Sequence, residues 1–168
     1  MSDKDKRPGE VALSIDPAEM AGDASLVFIG RIRSPWKSRA ECPRNLVQAR
    51  EQGKPVTIEI DDVWRAGLMG LEHVSHIIVL YWMQQARRDL IIQIPRNRPD
   101  PKGVFSIRSP VRPNSIAMAT VRILDVDQKA GLINIDAIDC LDGTPLLDIK
   151  PWFEAIDAFP VQDGLAEK

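Results

Sequence analysis

The sequence reads IAMATVRILDV at residues 116–126 and GLINIDAI at residues 131–138. Both stretches are rich in β-branched residues and are bounded by Pro, Asn, Asp and Gly, a pattern typical of β-strands. The chain contains five further runs of this kind: SLVFIGRIR (25–33), PVTIEID (55–61), VSHIIVLYWM (74–83), DLIIQI (89–94) and GVFSIR (103–108). The sequence therefore predicts about seven strands.

Helical segments are short in this pattern. Only GLMGLE at residues 67–72 and PWFEAIDAF at residues 151–159 have room for a helical turn or two. Frequent strands without long helices between them argue against a parallel βαβ sheet and favour a barrel or a sandwich. We predict an all-β fold, a small single-domain β-barrel with one or two short helices.

The domain organisation follows from length and local composition. A chain of 168 residues fits one domain. Residues 1–24 are polar, and their hydrophobic residues follow neither the period of a strand nor that of a helix, so we expect an N-terminal tail there. We expect a barrel domain over residues 25–160 and a C-terminal tail over residues 161–168. Cys42 and Cys140 have no metal-ligand spacing, and two free thiols are expected.

Charge limits the possible partners. The net charge of −2 excludes a protein that holds nucleic acid or an anionic membrane by bulk charge alone. Residues 31–50 and 84–112 nevertheless each carry an excess of five positive charges, so a basic face is available, although solvated loop charges explain the same pattern. With no apolar run of membrane-spanning length and a polar N-terminus, we expect a cytoplasmic protein with no membrane partner.

The sequence lacks the motifs of several common kinds of functional site. There is neither a P-loop nor a GxGxxG motif after a strand. His73 and His76 with Glu72 do not predict a metal, because residues three apart on a strand point to opposite faces and no third ligand is near. Ser34 and Ser109 each precede proline and lack the glycine pattern of a nucleophile elbow. No metal site is expected.

Two polar loops are candidates for binding. GVFSIRSPVRPN at residues 103–114 holds Arg108, Arg112 and Asn114 in a segment stiffened by prolines, which lowers the entropy lost on ordering those donors. A rigid structural turn is the alternative. DCLDGTPLLDIKPW at residues 139–152 contains a tight Asp-Gly-Thr-Pro bend that exposes backbone groups. Its carboxylates either accept from a ribose hydroxyl or an ammonium, or cap turns and pair with Lys150.

In the identity and order of several short motifs, the chain resembles the TsaA-like family, which includes the TrmO type of tRNA methyltransferase. The motifs are IGRI (29–32), SP (34–35), PR (43–44), GLE (70–72), SH (75–76), GVF (103–105), RSP (108–110), RPN (112–114) and DGTPLLDIKP (142–151). The resemblance extends from about Ser25 to Phe159. It implies a small β-barrel that binds S-adenosylmethionine as a homodimer and methylates N6 of threonylcarbamoyladenosine beside the tRNA anticodon.

The resemblance also implies site residues. Those carried over to the cofactor are Arg44, Asn45, Gln84, Gln85, Arg108, Met118, Asp139, Cys140, Leu141 and Asp142; those expected at the substrate are Arg112, Asn114 and Lys150. Asp142 is the candidate acceptor for the proton lost from nitrogen, with loss to water equally compatible. Trp36 and Trp152 are candidates for stacking on bases of the single-stranded anticodon loop, although tryptophan more commonly packs in the core.

Three positions depart from the family pattern. Gln84 stands where the family usually has His, Asn45 where it has Gln, and SIA at residues 115–117 where it reads Pro-Ile-Gly. Gln84 donates and accepts hydrogen bonds but does not titrate near neutral pH, so a proton-transfer role is lost there. Two alternatives therefore stay open: a regulatory protein that binds S-adenosylmethionine, and a methyltransferase with a different substrate.

Overall fold

The computed structural model describes residues 6–15, 17–20, 25–95 and 100–158. Its strands are β1 (Val11–Ala12), β2 (Gly30–Arg33), β3 (Val56–Ile60), β4 (His76–Trp82), β5 (Leu90–Gln93), β6 (Lys102–Gly103), β7 (Ile116–Asp127), β8 (Leu132–Ile135) and β9 (Thr144–Pro151). Its α-helices are α1 (Pro17–Met20), α2 (Leu46–Gln52) and α3 (Glu154–Asp157), and single 3₁₀ segments cover Asp62–Leu68, Leu71–His73 and Val104–Ser106.

Six strands close into an antiparallel barrel in the order β2-β3-β8-β7-β4-β9, with β9 pairing back onto β2. A separate three-stranded sheet has the order β1-β5-β6. The prediction of an all-β barrel with few short helices is confirmed. A closed sheet leaves no unpaired edge, which explains how short strands form a stable unit here.

The barrel interior is filled by alternate residues of its strands. Ile58 on β3, Ile77 and Val79 on β4, Val121 on β7 and Ile133 on β8 are fully buried. Successive side chains on a strand point to opposite faces, so each strand contributes one apolar face to this interior. The main core of the molecule is therefore the lumen of the barrel.

Gly30 makes the β2–β3 pairing possible. A Cβ at this position would lie 2.0 Å from the backbone oxygen of Glu59, far inside any tolerated contact. Gly131 plays a similar part in the turn before β8: its φ is +75°, and a Cβ would lie 2.7 Å from the oxygen of Ile60. Both glycines permit close backbone approach.

The sequence prediction of individual elements was wrong in two places. GVFSIR at residues 103–108 forms a 3₁₀ turn over Val104–Ser106 rather than a strand, with only its first residue in β6. Residues 144–151, which are not counted among the seven predicted strands, form the eight-residue strand β9 between β4 and β2, and the expected bend is the turn at residues 142–143 before it. Helix α2 was not predicted, whereas the helical turns expected near residues 67–72 and 151–159 are present.

Part of the segment expected as an N-terminal tail contacts the small sheet. β1 pairs with β5, and the amide of Leu13 donates to the oxygen of Asp89 at 2.7 Å. The predicted C-terminal tail, residues 161–168, lies outside the described residues. No helix in the described ranges is both long and apolar enough to cross a membrane.

Candidate functional site

A broad open cleft of about 1410 Å³ lies at one end of the barrel. Its walls come from the end of β4 and the turn after it, the starts of β7 and β9, the segment that leads into α2, and the loop at 106–112. These parts meet because β4 is antiparallel to both β7 and β9, which brings the end of one strand beside the starts of the others. The cleft exceeds the size typical of a small-molecule pocket, which leaves room for a second ligand.

Most of the residues predicted for the site meet at this cleft. Nine of them line it: Arg44, Asn45, Gln84, Gln85, Arg108, Arg112, Met118, Asp139 and Leu141. Four others do not: Asn114, Cys140, Asp142 and Lys150. The first group is spread over almost a hundred residues of sequence, and the closed barrel is what brings its members together.

Asp139 is one of two carboxylates that line the cleft, and Tyr81 donates a hydrogen bond to it. The Tyr81 hydroxyl donates to Asp139 Oδ1 at 3.0 Å, and the tyrosine is buried at the end of β4. Burial and the neighbouring carboxylate raise the pKa of the Tyr81 phenol above its usual range, so it stays a protonated donor. Tyr81 was not predicted as a site residue, because it occupies an inward position of an ordinary-looking strand.

Asp142, the candidate proton acceptor, makes its contacts outside the cleft lining. Its Oδ2 lies 2.6 Å from Lys37 Nζ and its Oδ1 accepts from the amide of Ser34 at 3.2 Å. The Lys37 contact holds the pKa of the Asp142 carboxyl below its ordinary value of 3.8. Asp142 therefore links the bend at residues 141–143 to the segment after β2 and does not line the cleft.

The start of α2 forms one wall of the cleft. Asn45 is the N-cap of this helix, and its Oδ1 accepts from the amide of Gln48 at 3.0 Å, while the Gln48 side chain accepts from the amide of Arg44 at 3.0 Å. An Asn at the N-cap satisfies an amide that the helix leaves without a partner. The Asn45 side chain is thus committed to the helix, whereas the Arg44 side chain is exposed in the cleft wall.

Arg108 is anchored on the strand opposite its loop. Its Nη2 donates to the backbone oxygen of Met118 at 2.9 Å, and the Met118 side chain is half exposed in the cleft. A guanidinium carries five N–H donors, so this single bond fixes the group and leaves others for a ligand. Arg108 and Met118, each predicted at the cofactor, are therefore joined by a direct hydrogen bond.

Two more arginines hold the loop between β6 and β7. Arg112 Nη2 donates to the oxygens of Val104 at 2.9 Å and Ile107 at 3.3 Å. Arg88 Nη2 donates to Asn114 Oδ1 at 3.3 Å. Arg112 thus combines a structural role with a place in the cleft, whereas Asn114 is tied to Arg88 outside it.

The remaining candidates lie elsewhere. Cys140 is fully buried, and Lys150 pairs with Asp148 at 2.9 Å on the outer surface of β9. Trp36 was expected to stack on a base, but it is 2 % exposed and its Nε1 donates to the oxygen of Ile138, so it packs in the fold. Trp152 makes an edge contact with His76, with ring centroids 6.0 Å apart.

Cys42 also lines the cleft. Burial and the nearby Asp139 raise the pKa of the Cys42 thiol to about 11, so it is protonated near neutral pH. Among the described residues no three His, Cys, Asp or Glu side chains group as metal ligands do.

The cleft is strongly basic. Its lining contains seven cationic residues, Arg7, Arg39, Arg44, Arg87, Lys102, Arg108 and Arg112, against the two carboxylates of Glu10 and Asp139. The two basic stretches seen in the sequence therefore converge on one side of the molecule. A concave, basic surface raises the local concentration of anionic ligands.

Comparison with known proteins agrees with this geometry. The family model of the tRNA-methyltransferase O N-terminal domain matches residues 31–158. The chain belongs to this family. The resemblance inferred from short motifs is thereby confirmed.

Individual relatives extend the comparison. The chain is 45 % identical over 145 residues to a probable S-adenosyl-L-methionine-binding protein, VirR, of Rhizobium radiobacter, covering 86 % of this chain and 78 % of the relative. It is 38 % identical over 136 residues to an S-adenosyl-L-methionine-binding protein of Archaeoglobus fulgidus, covering 81 % and 94 %. A mouse tRNA (adenine(37)-N6)-methyltransferase is 30 % identical over 149 residues, 86 % of this chain and 34 % of the mouse protein.

Solved crystal structures of TrmO have the same fold as this chain. A crystal structure of TrmO from Pseudomonas aeruginosa superposes with a TM-score of 0.64 at 32 % identity, covering 86 % of this chain and 63 % of that one. The chain thus spans about three fifths of the solved proteins that it matches.

Proposed function

We propose that this chain is an S-adenosylmethionine-dependent methyltransferase that acts on N6 of an adenosine in tRNA. The observation that carries the proposal is the meeting of nine predicted site residues at one basic cleft. Two of the similar proteins are named as a probable S-adenosyl-L-methionine-binding protein and as a tRNA (adenine(37)-N6)-methyltransferase, which supports the proposal.

The donor set of the cleft fits such a cofactor. S-adenosylmethionine has an amino-acid part with both charges, a ribose and an adenine ring. Arg44 and Arg108 are suited to its carboxylate, Asp139 to its ammonium or ribose hydroxyls, and the side-chain amides at 84–85 to polar edges of the base. Met118 and Leu141 supply an apolar wall for flat groups.

The protein's contribution to the reaction is positioning. When bound, S-adenosylmethionine supplies an activated methyl group on its sulfonium. Arg108, held by Met118 O, and Asp139, held by Tyr81, are fixed before a ligand arrives, which lowers the entropy lost on binding. Of the two carboxylates that line the cleft, we assign Asp139 to accept a released proton, since Glu10 is paired with Arg7 and Asp142 with Lys37.

The finer proposal concerns the acceptor and the assembly. We infer that the substrate is threonylcarbamoyladenosine in the tRNA anticodon loop, that tRNA is the partner, and that the enzyme acts in the cytoplasm as a homodimer. A single-stranded loop lets bases leave their stack and enter a cleft. The open side of the cleft carries the exposed apolar residues Val47, Ile116 and Met118, which a second copy of the chain would cover.

The proposal is tested by calorimetric titration with S-adenosylmethionine, followed by transfer of labelled methyl groups to tRNA with and without the threonylcarbamoyl group. Arg108→Ala is expected to bind the cofactor at least tenfold more weakly, because an interaction with a charged group is lost. Folded wild type that does not bind would overturn the proposal. Transfer that ignores the threonylcarbamoyl group would overturn the finer substrate assignment alone.

A second candidate is a protein that binds S-adenosylmethionine without transferring its methyl group. Gln84 favours it, because an amide in the cleft does not take up a proton as a histidine would. Saturable cofactor binding with no transfer to any tRNA fraction would support this candidate over the first.

A further inference from the structure

Phe105 is an aromatic side chain that the fold does not bury. Its side chain is 79 % exposed at the middle of the 3₁₀ turn Val104–Ser106; it does not itself line the cleft, but the next residue, Ser106, does. Neighbouring Val104 is fully buried and anchors the turn. The sequence pattern predicts a strand over residues 103–108 and gives no indication of a binding role for Phe105. An exposed phenyl ring on a fixed turn is a surface available to a partner.

The turn that carries Phe105 is braced on both sides. Ser106 Oγ donates to the oxygen of Gly103 at 2.8 Å, and Arg112 Nη2 donates to the oxygens of Val104 and Ile107. These bonds fix the backbone around the ring before any partner binds. A preordered aromatic group loses little conformational entropy on contact.

Cationic residues flank the ring. Lys102 and Arg108 lie three residues before and after Phe105, and both line the cleft. Within the described part of the chain neither of them forms an ion pair with a carboxylate. Arg39 and Arg44 lie across the same cleft. The ring therefore stands at the edge of a surface with a strong excess of positive charge.

We propose that Phe105 is a stacking surface for an unpaired RNA base, with Lys102 contacting an adjoining phosphate while Arg108 serves the cofactor. This inference rests on the proposed function, since it concerns how that same cleft receives its RNA. Proteins that hold single-stranded nucleic acid combine aromatic rings for bases with cationic groups for the backbone. Aromatic residues and arginine are also enriched at protein interfaces, so the test below includes subunit number to distinguish a protein partner from RNA.

The test compares two labelled RNAs by fluorescence anisotropy: a hairpin with a single-stranded loop, and a blunt duplex with the same number of phosphates. The variants are Phe105→Ala and Phe105→Trp. Met69→Ala is the matched control, because Met69 is also 79 % exposed and lies outside the cleft. Each variant is also titrated with S-adenosylmethionine and measured by light scattering.

We expect Phe105→Ala to bind the hairpin roughly tenfold more weakly and the duplex unchanged, because the loss of one base stack affects only unpaired bases. Phe105→Trp is expected to bind the hairpin as tightly as wild type, and Met69→Ala to leave both affinities unchanged. Cofactor affinity should be the same in all four proteins.

Three results for Phe105→Ala would overturn the inference. The first is a hairpin affinity equal to that of wild type, and the second is an equal loss of affinity for hairpin and duplex. The third is a change in subunit number, which would assign the ring to a contact between protein chains. The proposed function fails separately, by the absence of cofactor binding or of methyl transfer in wild type. Wild type that methylates tRNA, together with an unaffected Phe105→Ala, would overturn this inference alone.

Discussion

The Tyr81 hydroxyl donates to Asp139 Oδ1 at 3.0 Å and so joins the barrel core to the wall of the cleft. Tyr81 lies in the interior row of β4 and is 3 % exposed, whereas Asp139 follows β8 and faces the cleft. Because burial raises the pKa of the phenol, the donor persists well above neutral pH. Packing inside the barrel thereby sets the position of a carboxylate at the site.

Tyr81→Phe tests this connection. The ring is kept and the hydrogen bond is lost, so we expect the free energy of unfolding to fall by about 1–2 kcal/mol and the affinity for S-adenosylmethionine to fall several-fold. The measurements are thermal melting and calorimetric titration. Thr57→Val is the control: its hydroxyl donates to Asn134 Oδ1 at 2.8 Å, away from the cleft.

Thr57→Val is expected to cost similar stability and to leave cofactor affinity unchanged. If Tyr81→Phe lowers stability but not cofactor affinity, the hydrogen bond is structural and Asp139 does not depend on it.

Asp139→Asn and Asp142→Asn distinguish the two nearby carboxylates. We expect Asp139→Asn to reduce cofactor affinity or methyl transfer by about tenfold or more, as an interaction with a charged group is lost. Asp142→Asn is expected to keep methyl transfer within about twofold, since its carboxylate is engaged by Lys37 and an exposed pair contributes little. Single-turnover transfer of labelled methyl groups measures both. Abolished transfer in Asp142→Asn, with cofactor binding intact, would show that Asp142 is the proton acceptor after all.

The sequence predicts the barrel well where strands alternate strictly. On β3 and β4 every second residue is buried, as the pattern indicates. β9 was not predicted as one strand because Thr144-Pro145 is typical of a turn, and proline is rare within sheets. Pro145 lies opposite Arg31 near the start of β9, where the ladder tolerates a missing donor.

The site is predicted less completely, for a physical reason. Asp139 and Asp142 are three residues apart, and nothing local distinguishes them. Their partners differ only through distant residues: Asp139 accepts from Tyr81, whereas Asp142 is engaged by Lys37, which lies 105 residues before it. The role of Tyr81 at the site is not predictable from the sequence either. A tyrosine at an inward position of a strand indicates a core residue, and its hydrogen bond to Asp139 is visible only in the structure.

Gly30→Ala tests the tight approach of β2 to β3. A Cβ would lie 2.0 Å from Glu59 O, so the barrel wall must shift, and we expect a loss of about 3 kcal/mol or more, measured by denaturant unfolding. Gly67→Ala is the matched control, because no atom lies within 4 Å of its added Cβ. That variant should stay within about 0.5 kcal/mol of wild type. Equal stability of the two variants would show that the β2–β3 pairing is looser than the structure indicates.

The ion pair between Arg87 and Asp89 predicts a pH dependence of stability. The guanidinium donates to both carboxylate oxygens, at 2.9 and 2.7 Å, and the aspartate is buried. These bonds hold the pKa of the Asp89 carboxyl below its ordinary value of 3.8. A carboxyl with a lowered folded-state pKa stabilises the fold above its unfolded pKa, and this stabilisation is lost as the pH falls through the folded value.

We therefore expect Asp89→Asn to be less stable than wild type near neutral pH and to lose less of its melting temperature between about pH 5 and about pH 3. Asp62→Asn is the control, because its ion pair with Arg65 involves a carboxylate side chain that is 87 % exposed, and such pairs contribute little. Its melting curve should run parallel to that of wild type over the same range. If Asp89→Asn also runs parallel to wild type, the pair with Arg87 does not stabilise the folded chain, and the anchoring of β5 beside the cleft rests on backbone pairing alone.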